Sequence, residues 1–301
     1  MLQNIPIQKI ETDLTDKKQV SLKILRIDMV HPEISGNKWF KLKYNLEHIK
    51  QHKLSGLLTF GGAYSNHIAA TACAGKLYHI NTIGIIRGEE VRNSTLIQAK
   101  ELGMHLHFVS RSLFREKDKL NLYLQKEFNL QELYVIPEGG SNLLGVKGCE
   151  EIVAYIPASA THICCACGTG STVAGILKGC RGKQKVVGIS SLKALGYFEK
   201  MLVQYGIDEV QKERVFFSYD YHFGGYAKLP KSLYLFAKEF SDKYSIPLDY
   251  VYTSKMLYGV MDLISKDYFP PASEIVAVHT GGLQGNTGFE HRIANEFKRD
   301  C

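Results

Sequence analysis

The sequence predicts an α/β protein in which parallel sheets carry helices on both faces, and three observations predict it. Short apolar runs alternate with helical stretches along the 301 residues, the order that strand–helix–strand units impose. Several runs pass straight into glycines and then a hydroxyl or amide at a helix start, the junction at which open sheets of this class bind ligands. No Pro/Ser-rich linker, repeat or low-complexity tract interrupts that order.

In chain order, the first expected strand is VSLKILRIDMV (20–30). It leads into S-G-N-K-W-F-K-L-K (35–43), where Gly36 and Asn37 place Lys38 at the start of a helical stretch. GLLTFGG (56–62) ends in two glycines before the helix SNHIAATACAGKLY, whose Ser65 and Asn66 favour helix starts. NTIGIIRG (81–88) is followed in the same way by NSTLIQAKELGM, HLHFVS (105–110) by the helical REKDKLNLYLQKEF, and LYVIPEGG (133–140) closes on another glycine pair. HICCAC (162–167) runs into G-T-G-S-T and the helix STVAGILKGC. KVVGISS (185–191), RVFFSY (214–219), the helix SLYLFAKEFSDKY and a last strand EIVAVHT (274–280) complete the alternation.

A hydrophobic content of 45% in a chain of this length supplies a substantial core. The start, MLQNIPIQKIETDL, has neither a basic segment nor an apolar one of the secretory kind, and no apolar run approaches the roughly 20 residues of a spanning helix. A cytoplasmic protein with no membrane partner is expected. The net charge of +7 arises from 37 basic against 30 acidic residues, mixed in sign along helical stretches, which is a solvated surface. Nucleic acid is not an expected partner, because no basic stripe with interleaved aromatics occurs.

Seven cysteines, Cys73, Cys149, Cys164, Cys165, Cys167, Cys180 and Cys301, lie in apolar or helical contexts and are expected as reduced, mostly buried thiols. Cys164 and Cys167 have C-x-x-C spacing, yet no second pair completes a four-ligand zinc site, and in a strand they point to opposite faces. No metal is expected.

Two junctions carry chemistry. Gly168, Thr169, Gly170, Ser171 and Thr172 offer backbone N–H groups and hydroxyls to a phosphate, or form a plain tight turn capped by Ser171. The strand that follows, VVGISSL, ends in Ser190 and Ser191 without the acidic residue a dinucleotide's ribose needs, and no Gly-Lys-Ser/Thr follows the glycines. A mononucleotide-like phosphate is therefore favoured over NAD. The second junction, Gly61 to His67, suits a smaller anion such as a substrate carboxylate, or simply caps a helix through Ser65 or Asn66. Ser65 is not a hydrolase nucleophile elbow, since Ala63 and His67 occupy the positions glycine would need. Lys38 alone would read as a solvated charge. A phosphate site, a carboxylate site and a lysine at a constrained turn together describe pyridoxal phosphate joined to an amino acid, with the lysine amine as the resting Schiff-base partner.

S-G-N-K-W-F-K-L-K-Y resembles the lysine segment Gly-Asn-Lys-x-Arg-Lys-Leu of the fold-type II pyridoxal-phosphate enzymes that include 1-aminocyclopropane-1-carboxylate (ACC) deaminase and D-cysteine desulfhydrase. Further segments are similar to that family's in the same order. They are G-G-A-Y-S-N-H, P-E-G-G-S-N-L-L-G-V-K-G (137–148), G-T-G-S-T-V-A-G, L-D-Y-V-Y-T-S-K (248–255) and H-T-G-G (279–282). The resemblance implies two doubly wound open-sheet domains with the cofactor in the cleft between them. Residues 1–48 and 149–301 would form the larger, phosphate-binding one, 49–148 the smaller inserted one, and the chain would pair as a homodimer.

It also implies roles. Lys38 would hold the cofactor and move the Cα proton, and Asn66 would hydrogen-bond the cofactor's phenolic oxygen. Ser65 and His67, with Asn66, would face the substrate carboxylate, while Gly168, Thr169, Gly170, Ser171 and Thr172 would hold the phosphate. Tyr252 and Tyr226 fall at the family's two active-site tyrosines, or are packed aromatics with satisfied hydroxyls. Thr253 would face the pyridine nitrogen with a hydroxyl in place of a carboxylate, leaving that nitrogen neutral and favouring expulsion of a good leaving group.

The implied reaction is a D-cysteine-desulfhydrase-like β-elimination on a small amino-acid substrate, with ACC deamination or non-catalytic cofactor binding as alternatives. Trp39 and Phe40 replace a small residue and an arginine, Ile68-Ala69-Ala70 replace a polar, arginine-containing stretch, and the loop IIRGEEVRNST looks shorter than the family's. These departures are expected at the substrate mouth, where they would suit a bulkier or more apolar substrate.

Overall fold

The computed structural model describes residues 5–289 and residue 293; Cys301 lies outside them. Among the described residues the chain forms β1 (Ile7–Ile10), α1 (Asp13–Lys17), β2 (Ser21–Leu25), α2 (Asn37–Gln51), β3 (Gly56–Gly62) and α3 (Asn66–Tyr78). There follow β4 (Asn81–Arg87), α4 (Ser94–Glu101), β5 (His105–Val109), α5 (Arg111–Arg115), α6 (Lys117–Glu127), β6 (Leu133–Ile136) and α7 (Leu143–Glu150). Next come β7 (His162–Cys167), α8 (Ser171–Gly179), β8 (Lys185–Ser190), α9 (Tyr197–Gln204), α10 (Glu209–Lys212) and β9 (Val215–Ser218). The last elements are α11 (Lys231–Tyr244), α12 (Thr253–Ser265) and β10 (Glu274–Val278), followed by a 3-10 segment at Leu283–Phe289.

Two sheets result. The larger has the order β1-β2-β10-β7-β8-β9, parallel except for β1, which pairs antiparallel with β2. The smaller, β5-β4-β3-β6, is parallel throughout. Every strand of the smaller sheet lies within residues 56–136. Parallel strands need crossover helices on both faces, and the buried side chains show them. On one face of the larger sheet Cys165, Cys167 and Val186 pack with Val173, Ile176 and Leu177 of α8 and Phe198 of α9. On the other face Cys164, Ala166 and Val187 pack with Phe240 of α11 and Met256, Leu257 and Val260 of α12. The smaller sheet meets α2 and α3 through Leu57 and Ile136, and α6 through Leu58 and Ile85.

The α2 helix belongs to both cores. Its Phe40 is buried with Val146 and Cys149 against the larger sheet, whereas Leu42, Leu46 and Ile49 pack on the smaller one. A boundary between residues 48 and 49 therefore falls inside this helix. The alternation expected from the sequence is present, with shorter strands where turns intervene. The β2 strand stops at Leu25 because Arg26 turns (φ −88°, ψ 58°) into a 3-10 turn, and β6 stops at Ile136, before Pro137. The antiparallel edge strand β1 is an addition to that expectation.

Cys164 and Cys167 lie on opposite faces of β7, and burial raises the pKa of every thiol in that strand, that of Cys165 to about 12. Among the described residues no cluster of three or more His, Cys, Asp or Glu could hold a metal ion. Among them, too, no helix is long and apolar enough to cross a membrane.

Candidate active site

A cleft of about 810 Å³ is lined from both sheets, within the range of small-ligand sites. Lys38 enters it as the second residue of α2. The turn before it can only be glycine, since Gly36 has φ +66° and a Cβ there would lie 1.9 Å from the Thr280 carbonyl oxygen. The Asn37 N–H donates to that carbonyl at 3.2 Å, and Asn37 Nδ2 donates to Thr172 Oγ1 at 2.9 Å, which ties the helix start to the glycine loop.

Lys38 Nζ donates to the Gly139 carbonyl at 3.0 Å, and Lys41 Nζ donates to the same oxygen at 3.2 Å. Two amines thus share one acceptor, and among the described residues no carboxylate is bonded to either. Burial, and after it the neighbouring Lys41 charge, hold the pKa of Lys38 well below the usual lysine range; burial does the same to Lys41. A lysine that discards its proton readily is a nucleophile and a base.

The α8 helix starts at Gly170, which is left-handed and gives no side-chain cap, so the first-turn N–H groups lack intrahelical partners. Thr169 and Thr172 line the cleft there; Ser171 is fully buried behind them. Its hydroxyl meets Ser141 Oγ at 3.1 Å, and Ser141 donates to Thr169 Oγ1 at 2.5 Å. The Tyr252 ring presses on the loop so closely that a Cβ on Gly168 would lie 2.9 Å from Tyr252 Cε1.

The second cradle opens α3. Ser65 Oγ accepts from the Ile68 N–H at 3.3 Å as the helix cap, so its hydroxyl hydrogen remains available to a ligand. Asn66 and His67 are the first helical residues, whose N–H groups also lack intrahelical partners. His67 is buried, and its protonation state follows from its neighbours. Thr59 Oγ1 gives its hydrogen to the Ile136 carbonyl at 2.8 Å, so the 2.9 Å contact with His67 Nε2 runs from imidazole to hydroxyl. His67 Nδ1 then carries a lone pair with no partner. Burial, followed by the charges of Lys38 and Lys41, holds the pKa of His67 well below the ordinary range.

Tyr252 and Tyr226 close the cleft with ring centroids 6.2 Å apart, edge to face. Burial raises both phenols, Tyr252 the more strongly, so they remain protonated donors.

Lys38, Ser65, Asn66, His67, Gly168, Thr169, Gly170, Thr172, Tyr226 and Tyr252 all line the one cleft. Thr253 does not. It is fully buried, its Oγ1 donates to Asp249 Oδ2 at 2.6 Å and accepts from the Asp249 N–H at 2.9 Å, and the hydroxyl is committed away from the cleft. Three of the expected mouth residues also lie elsewhere, because Phe40 and Ile68 are core side chains and Trp39 packs, partly buried, against both cores; Ala69 and Ala70 do line the cleft. Lys41, Glu138 and Gln284 line it as well and were not anticipated, whereas Arg87 belongs to the loop IIRGEEVRNST expected at the mouth. Only Lys41 had a signal, its i+3 spacing from Lys38 on one helix face.

These residues fit a phosphorylated aldehyde. The uncapped start of α8 would take the phosphate, Lys38 the aldehyde carbon, and the Ser65 hydroxyl with the free α3 N–H groups the carboxylate of an amino acid.

A family model described as pyridoxal-phosphate dependent enzyme matches residues 14–281. A bifunctional D-cysteine desulfhydrase/1-aminocyclopropane-1-carboxylate deaminase of Arabidopsis thaliana is 31% identical over 294 residues, covering 87% of this chain and 72% of that protein. A D-cysteine desulfhydrase of Klebsiella pneumoniae is 24% identical, with 89% of each chain covered. The crystal structure of an ACC deaminase homologue superposes with a TM-score of 0.82 at 25% identity, covering 97% of this chain and 93% of that one. With a matching model across most of its length and a buried lysine and two helix starts in one cleft, the chain belongs to the fold-type II pyridoxal-phosphate-dependent enzymes and takes pyridoxal phosphate as its cofactor.

Proposed function

We propose that this enzyme is a lyase that eliminates the β-substituent of a small amino acid, converting D-cysteine and water to pyruvate, ammonia and sulfide. The observation that carries the reading is Lys38, an amine of depressed pKa standing between the two anion cradles. Pyridoxal phosphate, when bound, supplies a sink for the electron pair released as a bond to the substrate Cα breaks.

The chain's own groups do the rest. The Ser65 hydroxyl and the N–H groups of Asn66 and His67 hold the substrate carboxylate and fix which Cα bond faces Lys38. Lys38 Nζ, uncharged, takes the Cα proton. Tyr252 and Tyr226 keep their phenolic protons and stand as donors to a departing thiolate.

The second reading, ring opening of ACC to 2-oxobutanoate and ammonia, is favoured by the name of the bifunctional relative. Incubating the holoenzyme with D-cysteine tests the first reading, which expects sulfide and pyruvate in equal amounts. No product from D-cysteine with 2-oxobutanoate from ACC would transfer the assignment to the second. Bound cofactor with no product from either would reduce the protein to a non-catalytic binder.

A further inference from the structure

We infer that Gln284 is a positioning residue that holds the Asn66 side-chain amide with its NH2 group turned into the cleft. This rests on the proposed pyridoxal-phosphate chemistry and on Asn66 facing the cofactor's phenolic oxygen, as the family resemblance implies.

Gln284 lies in the 3-10 segment that follows the last strand and lines the cleft beside Asn66. Its side chain sits in a directed chain of hydrogen bonds. Thr95 Oγ1, from the first turn of α4, donates to Gln284 Oε1 at 2.9 Å. Gln284 Nε2 donates to Asn66 Oδ1 at 2.5 Å. With its amide oxygen engaged from behind, Asn66 has its Nδ2 left over; that nitrogen has no partner among the described residues and lies against the Gly282 backbone, 2.8 Å from where a Cβ would stand.

Orientation matters because a terminal amide turned by half a rotation exchanges two donors for an acceptor at almost the same place. An electron-rich ligand oxygen is attracted by one and repelled by the other. Asn66 alone has no preference; Gln284 supplies one. The chain of bonds also crosses between structural layers, because Thr95 belongs to the helix over the smaller sheet and Gln284 to the segment leaving the larger one. Ser94 Oγ and Thr287 Oγ1, 3.2 Å apart, bridge the same two segments.

The near-isosteric Gln284→Glu substitution tests the idea by reversing polarity. A carboxylate accepts from Thr95 but cannot donate to Asn66, so the amide turns over to give it Nδ2 and shows Oδ1 to the cleft. Gln284→Met breaks the chain without imposing the wrong sense. Pyridoxal phosphate is titrated into cofactor-free protein and followed by absorbance, at pH 8 and at lower pH, for wild type, Asn66→Ala and the two Gln284 variants.

The expected result is weaker binding for Asn66→Ala, and for Gln284→Glu at pH 8 a loss of roughly tenfold or more that exceeds the loss for Gln284→Met. As pH falls and the introduced carboxyl gains a proton to donate, the Gln284→Glu affinity should return toward wild type at the same pH. The neighbouring ionisable groups, Lys38 and Arg87 in the cleft, Asp249 against Gly282 and Tyr64 against Gly288, are shared by both proteins, so the ratio isolates the new carboxyl. Weakening by Asn66→Ala together with a Gln284→Glu loss no larger than that of Gln284→Met, or without recovery at low pH, would overturn the role of Gln284. Unchanged affinity in Asn66→Ala would instead remove the premise about Asn66. None of these titrations uses a substrate, so they stay readable whatever the substrate assays return.

Discussion

Two helix starts line the cleft, and they are built differently. The start of α8 has no side-chain cap and no titratable residue between Gly168 and Thr172, and its Ser171 and Thr172 are buried against Ser141 and Asn37. The start of α3 is capped by a half-buried serine, carries a histidine with an unpaired nitrogen, and reaches its second amide through a residue of another layer. A phosphate that stays bound wants the first design, fixed and indifferent to pH. A carboxylate that must come and go each turnover suits the second.

Lys38→Ala attacks the element between the two ends and should have the largest effect. Turnover is expected to fall by on the order of a thousandfold or more, while the α8 start still retains cofactor phosphate, measured by kcat and by cofactor content after dialysis. Gly168→Ala breaks the fixed end. Its Cβ would meet the Tyr252 ring at 2.9 Å, and cofactor affinity should drop on the order of tenfold in a titration. Ser65→Ala loosens the other end, raising KM for the amino acid by roughly several-fold with cofactor affinity unchanged. Equal effects on both constants from either glycine or serine variant would erase the contrast.

The smallest expected effect concerns acid. His67 has its folded pKa depressed, so between that value and the ordinary histidine pKa near 6.5 the unfolded chain binds the extra proton. Stability of the cofactor-free protein is therefore intact above about pH 6.5 and falls as pH drops below it, by roughly 1 kcal/mol per pH unit from this group. His67→Gln should flatten that fall in urea midpoints measured between pH 7.5 and 5.5. An unchanged slope would place the acid sensitivity outside this end of the cleft.

Much of this was legible in the sequence, and helical phase accounts for part of what was not. Gly36 before Lys38 could be read because only glycine permits that turn. Phe40, read as a mouth residue, lies two positions on and so about 200° around α2, which turns it into the core; Lys41, three positions on, returns to the cleft beside Lys38. Thr253 was placed at the cofactor ring by its motif, but a nearby carboxylate competes for the same hydroxyl, and Asp249 also collects the N–H groups of Val251, Tyr252 and Thr253. Gln284 left no trace in the sequence, because its value depends on Thr95 and Asn66, 189 and 218 positions away.

The β7 strand carries three thiols in the core of a protein proposed to release sulfide. Thiolate is the form that reacts with oxidised sulfur species, and at pKa of about 12 Cys165 spends almost none of its time in that form near neutrality. Sealed between two helical layers, these side chains are chemically quiet and serve as packing.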